Sequence, residues 1–191
     1  MTTDKIQSTV NGIFDLYARH GADEYAGEKV SQLEHMCQAA LFAIRENYDD
    51  EVVLAAFLHD IGHLLPGQHE TMGEFGTIDH EKLGAGHLRS LGFSDRVCRL
   101  IASHVNAKRY LTWKYPAYYE QLSEASKRTL EYQGGRMDDA EAKQFEADPL
   151  FDLYIKMRRW DEAAKDEHQP LPDINLFRTK AIEHLHGRTA N

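Results

Sequence analysis

The sequence has few cysteines and no long hydrophobic run. Two of its 191 residues are cysteines, Cys37 and Cys98, and each lies within a helix-like pattern, which favours reduced, buried thiols over a disulfide or a thiolate metal site. The longest apolar run, residues 52–58, is far shorter than the roughly 20 residues that span a bilayer. The chain does not begin with a basic region followed by an apolar core. We therefore expect a cytoplasmic protein without a membrane segment.

Positive charge is scarce as well. The chain has 22 basic and 31 acidic residues, and the resulting net charge of -9 opposes nonspecific binding to nucleic acid or to an anionic membrane. An anionic substrate would therefore have to be met by a local basic pocket. The five prolines and 13 glycines are not concentrated in a linker, and the hydrophobic content of 42% is ordinary for a globular protein. We expect one domain over residues 1–191.

The sequence also lacks strand-like alternation and hairpin dipeptides, which predicts an all-α protein. We expect an N-cap at Asp50, a buried helix from residue 52 that ends at Gly62, and an exposed loop over residues 66–76. The aromatic-rich segment 110–119 is interpreted as a packing cluster or a short helical turn. Apolar spacing predicts helices over residues 5–19, 31–47, 52–62, 79–91, 94–104, 123–132 and 138–147, two more that begin near 148 and 173, and a frayed end at 188–191.

The most unusual feature is a His59-Asp60 pair at the end of the apolar run. Adjacent side chains on a helix diverge by about 100°, so such a pair suits a helix end beside two metals that share one carboxylate. His63 follows four residues after His59, which places it on the same side of the predicted helix. Taken without other ligands, a capping or core role for the pair is an equally good interpretation.

Other metal and phosphate signatures are missing. Neither His69-Glu70 nor His80-Glu81 is followed by the second histidine of a zinc metalloprotease helix. A ferritin-like bundle needs Glu-x-x-His on two helices, and the chain offers this spacing once. There is no glycine-rich phosphate loop and no nucleophile elbow. His87, seven residues after His80, is the main competitor for a ligand position.

The order of the remaining candidate ligands resembles that of a known superfamily. His35, His59-Asp60 and a late Asp161 are similar to the His…His-Asp…Asp framework of HD domains, which bind metals in an all-helical core. The additional His80 and His104 resemble the two-metal version of that framework. The resemblance implies an HD-domain helical bundle in which Asp60 bridges the two metals.

Over nearly the whole chain, the resemblance narrows to the HD-domain mixed-valent di-iron oxygenases that cleave carbon–phosphorus bonds, the PhnZ-like family. The motifs that carry it are Tyr25-x-x-Glu28, His59-Asp-Ile-Gly-His63, Asp79-His80-Glu-Lys-Leu-Gly-Ala, His104-x-x-x-Lys108, Ser126-Lys-x-Thr129 followed by Gln133-Gly-Gly, and Arg158-Arg-Trp-Asp161. Together these motifs are specific, whereas the His-Asp doublet alone is a weak signal.

This resemblance implies a complete set of site residues. One iron would be bound by His35, His59, Asp60 and Asp161, and the other by Asp60, His80 and His104, with the pair in the Fe(II)/Fe(III) state and O2 as co-substrate. The residues expected to bind the substrate are Tyr25, Glu28, His63, Lys108, Ser126, Thr129, Gln133 and Arg158. Tyr25, Glu28 and His63 are also expected to be catalytic, Tyr25 because it resembles a tyrosine that occupies an iron position until substrate displaces it.

The implied substrate is a small 1-hydroxyalkylphosphonate. Glu28 resembles a residue that recognises the nitrogen end of the substrate. A trimethylammonium group cannot donate a hydrogen bond and suits aromatic side chains, of which the chain offers Tyr25 beside Glu28 and a cluster elsewhere, Tyr110, Trp113, Tyr115, Tyr118 and Tyr119. The resemblance within the family therefore implies (R)-1-hydroxy-2-(trimethylammonio)ethylphosphonate, cleaved to glycine betaine and phosphate, rather than a primary amine. A metal-dependent HD-domain phosphohydrolase is the alternative, and a non-catalytic HD binding module is a second one.

Overall fold

A computed structural model describes residues 1–25, 27–67 and 69–189. Two short 3-10 helices, Ile61–Leu64 and Gly73–Phe75, accompany the α-helices, and in these three ranges the only β-type pairing is two isolated bridges. The α-helices are α1 Thr3–His20, α2 Gln32–Arg45, α3 Asp50–Leu58, α4 His80–Ser90, α5 Asp95–Lys114, α6 Pro116–Gln121, α7 Glu124–Tyr132, α8 Asp139–Glu146, α9 Phe151–Ala163 and α10 Asn175–Thr189. The all-α prediction is confirmed.

Helix α3 lies at the centre of the hydrophobic core. Its residues 52–58 are all buried, and it contacts α2, α5, α9 and α10. Phe57 stacks on Tyr17 and Phe177, with ring centroids 4.8 and 4.3 Å apart. Removing a buried aromatic ring of this kind costs about 3–5 kcal/mol. The end of α3 is therefore fixed in position by packing on every side.

Side-chain caps begin several of the helices. Ser31 and Glu34 form a reciprocal capping box at the start of α2, and Ser94 caps α5. The N-cap expected at Asp50 is a wrong prediction, because Asp49 accepts hydrogen bonds from the amides of residues 51 and 52 and Asp50 is already helical. Asp49 also accepts two hydrogen bonds from Arg96.

The predicted continuation of α3 to Gly62 is also wrong. The helix ends at Leu58, and after His59 and Asp60 the chain forms the 3-10 helix Ile61–Leu64. Gly62 lies directly against the start of α4, since a Cβ atom at this position would be 1.9 Å from the carbonyl oxygen of His80. The absence of a side chain allows α4 to approach. His63 is consequently not one turn further along the helix that precedes His59.

Two other segments differ from their predicted form. Helix α5 continues through the first half of the aromatic-rich segment to Lys114, because Tyr110 and Leu111 are buried against Met137. The segment 66–76 is not simply an exposed loop, because Met72 is buried and residues 73–75 form a 3-10 turn.

Cys37 and Cys98 are free and buried, as predicted. Arg188, expected to fray, lies in α10 and donates a hydrogen bond to the carbonyl of Gly92, whereas residues 190 and 191 lie outside the described ranges. Within those ranges no helix combines the length and apolar character needed to cross a bilayer.

The cap at Asp49 gives a stability prediction with a matched neighbour as control. We expect Asp49→Ala to lower the free energy of unfolding by about 1–2 kcal/mol, since it removes the cap of α3 together with the partly exposed ion pair with Arg96. Asp50→Ala removes only an ion pair with Lys180 on a partly exposed surface and should cost at most about 1 kcal/mol. Urea denaturation of the two variants measures the difference, and an equal loss would contradict the assignment of the cap.

Candidate metal centre

Six buried side chains from five parts of the fold converge at one point. Each of them is at most 4% exposed. They are His35 on α2, His59 and Asp60 directly after α3, His80 at the first position of α4, His104 on α5 and Asp161 on α9. The structure thus brings together all the ligands expected from the sequence. His87, the competitor for a ligand position, is not among the residues that line the cavity beside this cluster.

The four histidines form two pairs. The Nε2 atoms of His35 and His59 lie 3.1 Å apart, and those of His80 and His104 lie 3.0 Å apart. The Asp60 carboxylate lies between the pairs. Its Oδ2 atom is 3.4 Å from Nε2 of both His35 and His59, and its Oδ1 atom is 3.3 Å from Nε2 of both His80 and His104. One carboxylate oxygen therefore faces each pair.

The backbone determines the tautomer of each histidine in the two pairs. The Nδ1 atoms lie 2.8 to 3.2 Å from the carbonyl oxygens of Ala164, Ala56, Thr77 and Ile101. A carbonyl oxygen can only accept, so each Nδ1 carries the hydrogen, and in the neutral form that binds metal each ring directs the lone pair of Nε2 toward its partner. Although burial lowers it, hydrogen bonds to Asp161 and Asp60 raise the pKa of His35 to about 9, so this ring takes up a proton when no metal is bound. Two lone pairs 3 Å apart repel each other unless a metal ion or a proton lies between or beside them.

This donor set fits two metal ions. Facing lone pairs of neutral imidazoles and a carboxylate with an oxygen toward each pair are the ligands that divalent transition metals take. Asp60 Oδ1 is buried and has no hydrogen-bond partner among the described residues, as expected for an atom that binds metal. Burial alone would raise the pKa of Asp60, yet the neighbouring histidines, His59 first, hold it well below its usual range.

Asp161 completes the set through its contact with Arg158. The Nη1 atom of Arg158 donates to Asp161 Oδ2 over 2.5 Å, while Asp161 Oδ1 lies 3.4 Å from His35 Nε2. Arg158 also donates to Glu162 and to the hydroxyl of Tyr118. Although burial would raise the pKa of Asp161, the Arg158 guanidinium holds it well below its ordinary value. Arg158 thus orients one oxygen of Asp161 toward the first histidine pair.

His63 lies beside the centre in a different tautomer. Its ring stacks on that of His80 with centroids 4.0 Å apart, and its Nδ1 atom accepts a hydrogen bond from the amide of Thr77. The hydrogen of the neutral ring must therefore be on Nε2, which makes this atom a donor. Burial, with the charge of His80 as the next cause, lowers the pKa of His63 to about 3. By distance His63 could join Asp60 and His80 as a ligand, but this tautomer favours donation toward the cavity.

A cavity next to the centre contains the cationic and hydroxyl side chains expected to bind a substrate. Lys108, one turn after His104 on α5, is buried and donates to the hydroxyl of Thr129 over 2.8 Å. Burial lowers its pKa to about 7, and the charge of Arg158 is the next cause. Ser126 and Gln133 line the same cavity, and the buried Oε1 atom of Gln133 has no partner among the described residues.

The loop before α2 contributes Tyr25 and Glu28 to this cavity. The Tyr25 ring stacks on His35 with centroids 3.8 Å apart, and its hydroxyl lies 3.5 Å from Asp161 Oδ1. Burial and then Asp161 raise the pKa of Tyr25 well above its ordinary value, so it remains a phenol. Glu28 forms an ion pair with Lys165, over 2.5 Å between Oε1 and Nζ. All eight predicted substrate residues therefore line one cavity.

Sequence reasoning missed several other lining residues. Gln32 lies three residues before His35 on α2 and has a buried, unpartnered Oε1 atom, so helical spacing could have identified it. Met72 and Phe75 come from the segment that was expected to be an exposed loop. Lys165 follows the end of α9, where no periodic pattern predicts the direction of a side chain.

The fold and the paired ligands are those of an HD domain, and comparison with known proteins agrees. The HD domain family model matches residues 32–146, a range that includes every predicted ligand except Asp161. The chain therefore belongs to the HD-domain family.

Within that family, three relatives match most of the chain. A hydroxymethylphosphonate dioxygenase of Gimesia maris is 40% identical over 92% of this chain and 89% of its own length. A [1-hydroxy-2-(trimethylamino)ethyl]phosphonate dioxygenase (glycine-betaine-forming) of Leisingera caerulea is 39% identical over 88% of this chain and 84% of its own. Uncharacterized protein L432 of Acanthamoeba polyphaga mimivirus is 40% identical over 98% of this chain and 87% of its own length. The predicted membership of the PhnZ-like HD oxygenases is confirmed.

The arrangement of the ligands gives a prediction about metal content. After reconstitution with Fe(II), we expect two metal ions per chain in the wild type, about one in Asp161→Ala and fewer than one in Asp60→Ala, because Asp60 faces both histidine pairs. Elemental analysis measures the ratio of iron to protein. His87→Ala, outside the cavity, serves as the control and should retain two ions. Full occupancy in Asp161→Ala would remove Asp161 from the ligand set.

Proposed function

We propose that the protein is an O2-dependent mixed-valent di-iron oxygenase that cleaves the carbon–phosphorus bond of a 1-hydroxyalkylphosphonate. The observation that carries this proposal is the position of Asp60 between two histidine pairs, next to a cavity that contains a buried lysine. A two-metal centre beside an anion-binding pocket suits a phosphonate, and two relatives are named as phosphonate dioxygenases.

The ligands divide between two irons in this proposal. His35, His59, Asp60 and Asp161 would hold one, and Asp60, His80 and His104 the other. Histidine and carboxylate donors suit iron but also admit manganese, cobalt or zinc, so the choice of iron and of the Fe(II)/Fe(III) state rests on the family resemblance. When bound, the irons supply the activation of O2 and the electron transfers that the cleavage requires.

The cavity side chains would bind and orient the phosphonate. A dianion in a closed site needs compensating charge, and the Lys108 ammonium is buried at hydrogen-bond distance from Thr129. The Nε2–H group of His63 supplies a neutral donor on the side of His80. Ser126 and Gln133 add polar groups to the same wall. Arg158 acts mainly through Asp161, since each of its three nitrogens already donates a hydrogen bond to a protein side chain.

The loop with Tyr25 and Glu28 would enclose the substrate and exclude water. Tyr25 covers the face of His35, and its hydroxyl points to the same Asp161 oxygen that faces the centre. Met72, Phe75 and Val105 give the cavity apolar surface. A closed, partly apolar site strengthens the hydrogen bonds to the phosphonate and protects reactive species from solvent.

For the substrate itself we propose (R)-1-hydroxy-2-(trimethylammonio)ethylphosphonate, which would give glycine betaine and phosphate. Glu28 brings a carboxylate to the cavity, and Tyr25 and Phe75 bring aromatic rings. A trimethylammonium group is recognised by aromatic faces and a nearby negative charge. The Leisingera caerulea relative is named for this substrate.

Hydroxymethylphosphonate is a second candidate substrate. Glu28 is already neutralised by Lys165, so the nitrogen end of the cavity does not present a free negative charge. A substrate without a cationic group would leave this pair intact. The Gimesia maris relative is named for hydroxymethylphosphonate, and the same cleavage of that compound with one O2 would give formate and phosphate.

The proposed reaction is tested by its dependence on oxygen. Iron-loaded protein should release phosphate from one or both hydroxyphosphonates in air and release none under anaerobic conditions, because the two oxygen atoms that the reaction adds to the products come from O2. Phosphate is measured by a colorimetric assay and the carbon product by NMR. An HD-domain phosphohydrolase would instead release phosphate from a phosphate ester equally well without O2. That outcome would overturn the proposal.

The depressed pKa of Lys108 gives a pH prediction. The group binds an anion only when protonated, so kcat/KM for the phosphonate should fall as pH rises through about 7. We expect Lys108→Met to lower kcat/KM by roughly 10- to 100-fold, the usual effect of losing a charge-assisted hydrogen bond, and to abolish this alkaline decline. The control is Lys114→Met, which removes a lysine that pairs with Glu146 at the surface. This variant should show the same fall of kcat/KM with rising pH as the wild type. A decline that persists in Lys108→Met would assign it to another group.

A further inference from the structure

The ion pair between Glu28 and Lys165 lines the same cavity as the residues proposed to bind the phosphonate. The two side chains are 16% and 24% exposed, so water screens the pair less than it screens a surface ion pair. Both residues line the cavity of the metal centre, and both also line a second, outer cavity. The pair therefore forms part of the wall between the two cavities.

Lys165 is positioned to compete with any other cation for Glu28. Among the described residues, it is the cation that forms an ion pair with Glu28. Each of the three nitrogens of the nearby Arg158 donates a hydrogen bond, to Asp161, Glu162 and Tyr118 respectively. Lys165 follows the end of α9, and its ammonium is carried on a flexible four-carbon chain. Glu162 lines the outer cavity and offers a second carboxylate to the ammonium if it leaves Glu28.

We propose that Lys165 is a specificity-determining residue, which acts as an internal counter-cation for Glu28 and sets the preference between cationic and uncharged substituents on the hydroxyphosphonate. This inference rests on the proposed function. A substrate with an ammonium group must displace Lys165 from Glu28, whereas hydroxymethylphosphonate leaves the pair intact. Lys165 thereby lowers the preference for the cationic substrate without contacting the reacting carbon.

The experiment compares two substrates in matched variants. The ratio of kcat/KM for 1-hydroxy-2-(trimethylammonio)ethylphosphonate to that for hydroxymethylphosphonate should rise about 10-fold or more in Lys165→Met, which frees the Glu28 carboxylate. Lys165→Arg retains a cation and should keep the wild-type ratio. The control Lys29→Met removes an exposed lysine that pairs with Glu167 and should also leave the ratio unchanged.

A double variant separates the effect of Glu28 from a general change in the loop. If Lys165 acts through Glu28, the rise should disappear in Glu28→Gln/Lys165→Met when compared with Glu28→Gln alone. A rise of equal size in the absence of the carboxylate would overturn the inference. An unchanged ratio in Lys165→Met would also overturn it, and in that case phosphate release by the wild type would leave the proposed function standing.

A binding measurement keeps the two proposals separable. Dissociation constants of both phosphonates, measured by calorimetry without O2, do not depend on turnover. The ratio of the two constants should shift in Lys165→Met in the same direction as the kinetic ratio. A shift in the binding ratio without phosphate release by any variant would overturn the proposed reaction and support the role of Lys165. If neither phosphonate binds, both the proposed function and the role of Lys165 are overturned.

Discussion

The carboxylate of Asp60 is the interaction on which the rest of the centre depends. Each of its oxygens faces one pair of imidazoles, whose Nε2 atoms point inward. In a protein interior this arrangement is unfavourable unless positive charge is present, because buried acceptors without donors are destabilising. Metal ions bound here would therefore also stabilise the fold, since they would satisfy ligands that several helices contribute.

The core prepares this site through helix α3. Packing on all sides fixes Leu58, and the chain then leaves the helical path so that His59 and Asp60 reach the centre from one segment. Gly62 lets the first turn of α4 contact the backbone, which places His80 beside Asp60. The His59-Asp60 pair and Gly62 thus both serve to bring the two histidine pairs together. A side chain at residue 62 would push His80 away from Asp60.

The sequence predicted most of the helices, because helical spacing is a local signal, and its resemblance to a known family supplied the six candidate ligands. It did not predict the end of α3 at Leu58, which depends on contact with a helix 20 residues later. The length of α5 was underestimated. Tyr110 packs against Met137 and Ala142, and the helix continues past it. The pairing of Lys165 with Glu28 was also missed, since it joins two irregular segments 137 residues apart.

The hydrogen bonds from the histidine Nδ1 atoms to backbone carbonyls have an evolutionary consequence. In many metal sites a carboxylate side chain orients the histidine ligand and can be lost by mutation. Here the acceptors belong to the main chain of Ala164, Ala56, Thr77 and Ile101, so most substitutions at those positions leave them in place. The orientation of the four histidines therefore tolerates changes of side chain at the residues that hold it.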